Sequence, residues 1–216
     1  MWLIGLGILG IGWLIITSAS RNVLYIEPVF TNSAYQPHGF YDYYNNKCDT
    51  SCLTVPLKRD ALTPVMRYAE NTQSMQLFNM FFISHVTDMD VSLNPHIIDG
   101  YSVIVLHNEY MTQAEYDILA HHNDTYFLYP NSMYALVNYT INKVTLVKGH
   151  HYLGVGNAFN WQYDNSKYEQ EPGNVKVSYN SCEFTPLTKI QTGYQFNCYP
   201  NSPHNVLRAY LLWLFK

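Results

Sequence analysis

Charge is scarce in this chain. Of its 216 residues only 13% are Asp, Glu, Lys or Arg, and 12 basic side chains against 16 acidic ones leave a formal charge of −4. No basic run occurs, so the electrostatic footprint that holds a phosphate backbone is missing, and nucleic acid is not an expected partner. Disorder is excluded on other grounds, because 48% of the residues are hydrophobic, enough for one domain with a sizeable core. Cysteine is sparse as well. The four present form one close pair, Cys48 and Cys52, and two isolated positions, Cys182 and Cys198, which is poor spacing for a zinc site.

Aromatic side chains are plentiful instead, at 16% with twenty Tyr, which suits a domain exposing neutral, Tyr- and Asn-rich surfaces. A long apolar run opens the chain. Residues Trp2 to Ile16 are apolar or Gly throughout, and Thr17-Ser-Ala-Ser20 adds small residues before Arg21, the first charge. This pattern marks a membrane-targeting segment, shorter than the roughly 20 residues of a full span. Two readings stand: a signal peptide cut at the small pair Thr17 and Ala19, or an uncleaved helix that anchors the protein in the membrane. Residues 21–216 then form a single extracytoplasmic domain on the outer side of the cell membrane, secreted if the leader is removed. Gly5-Leu-Gly7-Ile-Leu-Gly10 matches the dinucleotide-binding fingerprint only formally, since no strand precedes it and no acidic partner follows about 20 residues later. Glycine in a membrane helix explains it. The outward-facing placement favours disulfides, Cys48 with Cys52 and Cys182 with Cys198 across a hairpin, and fits two glycosylation sequons at Asn123 and Asn138.

Past the leader, Val23 to Phe30 reads as a first strand ending in an extended Pro segment. Ala34 to Cys48 carries Tyr35, Tyr41, Tyr43 and Tyr44 among Pro and Gly, hence a Tyr-rich loop. Asp60 to Phe78 has helical periodicity, Asn79 to Val86 reads as a strand, and Thr87 to Asp90 as a polar loop at its end. A short helical turn over Asn94 to Tyr101 leads to a strand at Ser102 to Leu106. A helix over Gln113 to His121 and a strand over Thr125 to Tyr129 follow. Strands alternating with helical pieces predict an α/β fold with a doubly wound, mainly parallel sheet. Two antiparallel hairpins are added to it, at Ala135 to Val147 and at Cys182 to Tyr199. Lys148 to Gly173 between them is read as a long loop over one face, and a terminal helix opens at Pro203.

The stretch with the most chemistry is Ser102-Val-Ile-Val-Leu-His107-Asn108-Glu109-Tyr110. A buried strand runs straight into an imidazole, a carboxylate and a phenol. His107 and Glu109 share a side of an extended chain, and strand ends are where open α/β sheets bind ligands. The plainer alternative makes Glu109 a loop residue capping the helix near Thr112, with His107 an ordinary half-buried side chain.

Several separated stretches resemble one family. Ala34-Tyr35-x-x-x-Gly39, Thr87-Asp-Met-Asp90, His107-x-Glu109-Tyr110-x-Thr112 and Asn131-x-x-Tyr134 occur in the order and spacing of the large subunit of N,N-dimethylformamidase. The resemblance covers about half of the chain. It implies a class I glutamine-amidotransferase-like fold and an iron ion held by tyrosines and a glutamate. By motif, Glu109 and Tyr35 become metal-ligand candidates, His107 the general base and Asn131 a donor to the developing oxyanion. The substrate class it implies is a small amide. Met111 stands where the family has an aromatic, the second Tyr ligand stays open among Tyr41, Tyr44 and Tyr68, and a downstream catalytic carboxylate has no counterpart. The whole chain, including Asn157-Ala-Phe-x-Trp161 and Asn197-Cys-Tyr-Pro200, also resembles exported proteins of ammonia-oxidising archaea, a likeness that names no activity. Three functions therefore remain on sequence grounds: a membrane-tethered metal-dependent amidohydrolase, a non-catalytic surface module binding a ligand or holding loops, and an accessory subunit of a membrane complex.

Overall fold

Ten strands divide between two sheets in the computed structural model, which describes residues 12–16, 22–58, 69–168, 182, 187–200 and 202–216. The larger sheet contains β1 (Val23–Glu27), β3 (Ser84–Thr87), β4 (Ser102–Val105), β6 (Thr125–Phe127), β9 (Leu187–Ile190) and β10 (Gly193–Phe196), in the order β3-β1-β4-β6-β10-β9. All neighbours are parallel except β9, which closes one edge antiparallel to β10. The architecture is mixed α/β around a mostly parallel sheet.

Helices cover both faces of this sheet, which is why β4 carries three buried apolar residues in a row and no polar alternation. On one face Tyr25, Ile104, Tyr126 and Phe196 pack against α3 (Ala69–Met80) and α6 (Pro203–Leu214) through Met75, Phe78, Val206, Tyr210 and Trp213. On the other, Leu24, Ile26, Val103, Val105 and Phe127 meet Val91 of α4 (Asp88–Leu93), Leu119 of α5 (Gln113–Leu119) and Trp161. Full burial of side chains this large contributes about 1.5 to 3 kcal/mol each, so these two layers fix the sheet.

The smaller sheet runs β2 (Thr54–Pro56), β8 (Lys143–Lys148), β7 (Ala135–Tyr139), β5 (Tyr110–Met111). The hairpin expected after Tyr134 is β7 and β8, and it is the centre of this separate sheet, with β5 added parallel to β7.

Several expected boundaries move for local reasons. The first strand ends at Glu27, because Pro28, lacking an N–H, begins the helix α1 (Val29–Ala34) instead of extending the strand. Thr87 to Asp90 is not a loop: the Thr87 hydroxyl accepts from the Asp90 N–H while the Asp90 carboxylate accepts from the Thr87 N–H, a reciprocal cap that starts α4. Helix α3 continues to Met80, so the strand placed at Asn79 to Val86 shortens to β3; residues 60–68 of the expected helix lie outside the described residues. The Tyr-rich loop contains a short helix, α2 (Phe40–Tyr44).

Both cysteine pairs are bonded, with Cα atoms 6.1 Å apart for Cys48 and Cys52 and 5.3 Å for Cys182 and Cys198. Cys182 lies beyond the strand pairing of β9 and β10 and not within it. Of the apolar leader, residues 12–16 are helical, with Trp13 edge-on to Phe82 at 5.8 Å. The rest of the run, including the three glycines of the formal fingerprint, lies outside the described residues. Among the described residues no helix is long and apolar enough to cross a membrane.

Candidate functional site

Between β1 and β4 the chain connections diverge. β1 leads to β3 on one side of it, and β4 leads to β6 on the other, so the carboxyl ends of these two neighbours border the crevice that such a reversal leaves. Tyr35 follows α1 off the end of β1, and His107 and Glu109 follow directly off β4. The two segments are tied together: the Tyr110 N–H donates to Thr31 Oγ1 of α1 at 3.2 Å.

Glu109 is fully buried, and three side chains converge on it. The Tyr35 hydroxyl donates to its Oε2 in a short hydrogen bond. The Tyr41 hydroxyl lies 3.4 Å from both carboxylate oxygens and 2.6 Å from the Tyr35 hydroxyl. His150 Nε2 lies 3.0 Å from Oε1 and 3.1 Å from the Tyr41 hydroxyl. His107, also buried, has its ring 6.1 Å from that of Tyr35, with Tyr129 and Tyr199 on other sides at 6.1 and 5.8 Å. Glu109 takes no part in capping α5; Thr112 does that, accepting from the Glu115 N–H.

Local sequence explains how Tyr41 arrives. Gly39 turns the chain back on α1 so tightly that a Cβ there would collide with the Ala34 carbonyl oxygen. The reversal lays the Tyr41 ring over that of Tyr35, 4.2 Å apart and 23° from parallel. Of the three tyrosines left open as a second ligand, Tyr41 is the one beside the carboxylate. Tyr44 accepts instead from the Tyr110 hydroxyl at 3.2 Å, and Tyr68 lies outside the described residues.

The smaller sheet delivers the rest. β5 and β7 start, and β8 finishes, at the same end of it, so Glu109, Tyr134 and His150 are neighbours by topology. The Glu109 carbonyl accepts from the N–H groups of Tyr134 and Ala135 at 3.1 and 2.9 Å, and the Asn108 carbonyl from Met133 at 3.0 Å. Asn131 begins this loop in a left-handed conformation, φ 62°, with its Oδ1 buried and without a hydrogen-bond partner. Next to it the Ser132 hydroxyl donates to the Leu106 carbonyl at 2.8 Å, which holds the Asn131 loop against the His107 segment.

Burial alone would push the Glu109 carboxyl up. The His150 imidazole, by its charge and its hydrogen bond, then the His107 charge and the Tyr35 hydroxyl, outweigh that and hold it below the ordinary carboxylate value. Burial together with the same carboxylate pushes the Tyr110 hydroxyl well up, and burial raises Tyr44 too, so both stay protonated.

Among the described residues no group of three or more His, Cys, Asp or Glu is arranged to hold a metal ion. What gathers here is one carboxylate, one imidazole and two phenols. That set offers hard oxygen donors with one borderline nitrogen, a chemistry that suits iron. His150 and the choice of Tyr41 were not legible in the sequence. The available signal was a histidine pair directly after a strand and a glycine, Gly149-His150-His151. No protein-family model, curated protein or solved structure matches the chain.

Proposed function

We propose that this protein is a metal-dependent hydrolase of C–N bonds in small amides, with iron held by Glu109, Tyr35 and Tyr41. The observation that carries the reading is the fully buried Glu109 carboxylate lying against two phenol hydroxyls at the divergence of β1 and β4. Numbered among themselves, the parallel strands run 2-1-3-4-5, the flavodoxin-type doubly wound order, in which ligands sit at that divergence. This supports the glutamine-amidotransferase-like fold that the family resemblance implies.

Iron held by Glu109, Tyr35 and Tyr41 would supply Lewis acidity toward an amide carbonyl. His107 takes the proton of the attacking water and returns it to the leaving nitrogen. The Asn131 amide donates to the oxygen that gains charge. The rings of Tyr129 and Tyr199 pack beside that of His107. The disulfides support an extracytoplasmic location, with the apolar leader as the membrane tether, and Asn123 and Asn138 are both exposed for glycosylation.

A second reading draws on the same burial. Glu109, His107 and Asn131 are 0, 1 and 2% exposed, which also suits a surface module in which the cluster locks loops together. Elemental analysis of the purified protein separates the two. About one iron per chain, a tyrosinate-to-iron absorption band and release of amine from small amides support the hydrolase; a folded protein that takes up no iron supports the module.

A further inference from the structure

We propose that His150 completes the donor set as a fourth ligand, through Nε2. The inference rests on the iron reading above and concerns a residue to which neither the family resemblance nor the sequence motifs assign a role.

Three features of His150 point the same way. Its backbone is held in an unfavourable conformation: Gly149, His150 and His151 have φ of 106°, 53° and 64° in succession. A left-handed non-glycine residue costs about 1 kcal/mol, so such a run persists only where the surroundings enforce it. They do so here, because the His150 N–H donates to the Gly156 carbonyl and the His151 N–H to the Val155 carbonyl, both at 2.8 Å. The ring is also locked. It stacks on Tyr44 at 4.2 Å and 6° from parallel, with Tyr41 and Tyr134 edge-on at 5.3 and 5.8 Å. With the ring fixed, Nε2 faces the interior of the cluster, and the residue is 8% exposed.

The distances favour a ligand over a simple ion pair. An ion pair needs one contact, yet Nε2 lies within 3.1 Å of both the Glu109 carboxylate and the Tyr41 hydroxyl, and that hydroxyl is 3.4 Å from the same carboxylate. Adjacent ligands of a first-row ion bound at about 2.0 to 2.2 Å are themselves about 3 to 3.4 Å apart. The triangle of His150, Glu109 and Tyr41 has those edges. A single N–H shared between two acceptors is bent from each, whereas donors around a shared cation meet no such conflict.

The test uses the full chain loaded with ferric iron alone, with elemental analysis, visible absorption and pulsed electron paramagnetic resonance as readouts. The expected result is a histidine nitrogen coupling in the wild type that disappears in His150→Gln, with iron affinity lowered about 10- to 100-fold or more. The coupling persists in His151→Gln, the exposed neighbour. Wild-type protein that binds iron with tyrosinate absorption but shows no histidine nitrogen coupling overturns the role of His150 and leaves the iron reading standing. A His150→Gln protein that keeps both coupling and affinity overturns that role in the same way. Folded wild-type protein that takes up no iron overturns both, and because this readout needs no variant, a failure of His150→Gln to fold leaves the proposal open to refutation.

Discussion

The hydroxyl of Tyr35 donates to the carboxylate of Glu109 across 74 residues of chain, joining the segment after β1 to the segment after β4. A hydrogen bond to a buried charged group contributes about 1.5 to 3 kcal/mol. Tyr35→Phe keeps the ring and removes the donor, so it is expected to lower stability by about 2 kcal/mol and, on the proposed iron site, to weaken iron uptake. Urea midpoints and elemental analysis of the same preparation measure both; an unchanged midpoint would show that Glu109 draws its compensation elsewhere.

A buried acidic pair lies outside the candidate site. Burial, then the nearby Asp88, push the Glu115 carboxyl well up, and the Thr112 N–H offsets this only in part; neither Glu115 oxygen has a partner at hydrogen-bonding distance. Asp88 is raised as well, first by burial and then by Glu27 and Asp90, against donors from Phe30 and Met89. Since both folded values exceed the unfolded ones near 4, the native state binds more protons, and this contribution to stability is complete below about pH 4 and lost as pH rises. The midpoint should therefore fall between about pH 5 and pH 8. Glu115→Gln mimics the protonated form and should raise stability at about pH 8 by about 1 to 3 kcal/mol while flattening the slope. Denaturation at the two pH values decides it.

Gly149 stands at φ 106°, and a Cβ there would lie 2.8 Å from Ala135 Cα. Gly149→Ala is expected to lose about 1 to 3 kcal/mol and to displace His150, which immediately follows. Chemical shifts of the His150 ring, read against those of His151, would register the displacement; an unmoved His150 would mean that the bonds to Gly156 and Val155 suffice to hold it.

The two disulfides close loops of different length, 16 residues for Cys182 with Cys198 and 4 for Cys48 with Cys52. Chain entropy assigns about 3 kcal/mol to the longer loop and less to the shorter. Replacing Cys182 and Cys198 by Ala should therefore lower the urea midpoint more than replacing Cys48 and Cys52. The opposite ranking would place the stronger constraint in the Tyr-rich segment.

Much of this architecture was readable because it is local. Val103, Ile104 and Val105 announce a buried strand, and Pro203 opens the last helix. His107 and Glu109 stood out because they follow that strand directly. Pro28 misled, since proline serves equally as a strand end and a helix start. Tyr41 was one of three candidates that the residues alone did not separate, and His150 was beyond reach for a different reason. Its position depends on β5, β7 and β8 forming a separate sheet with a common end, and pairing partners far apart in sequence leave no periodic trace.

The cluster also has a place in the order of folding. Tyr41 and His150 meet across 109 residues, and His150 reaches the carboxylate only after β8 has paired with β7 and β7 with β5. Contacts so distant in sequence form after the local ones, because the entropy of closing long loops is met first. A chain with only its larger sheet assembled would leave Glu109 in water with an ordinary carboxylate's affinities. The buried character of this carboxylate is thus conferred only once the smaller sheet is in place, and a misassembled molecule would lack the cluster on which the proposed iron site depends.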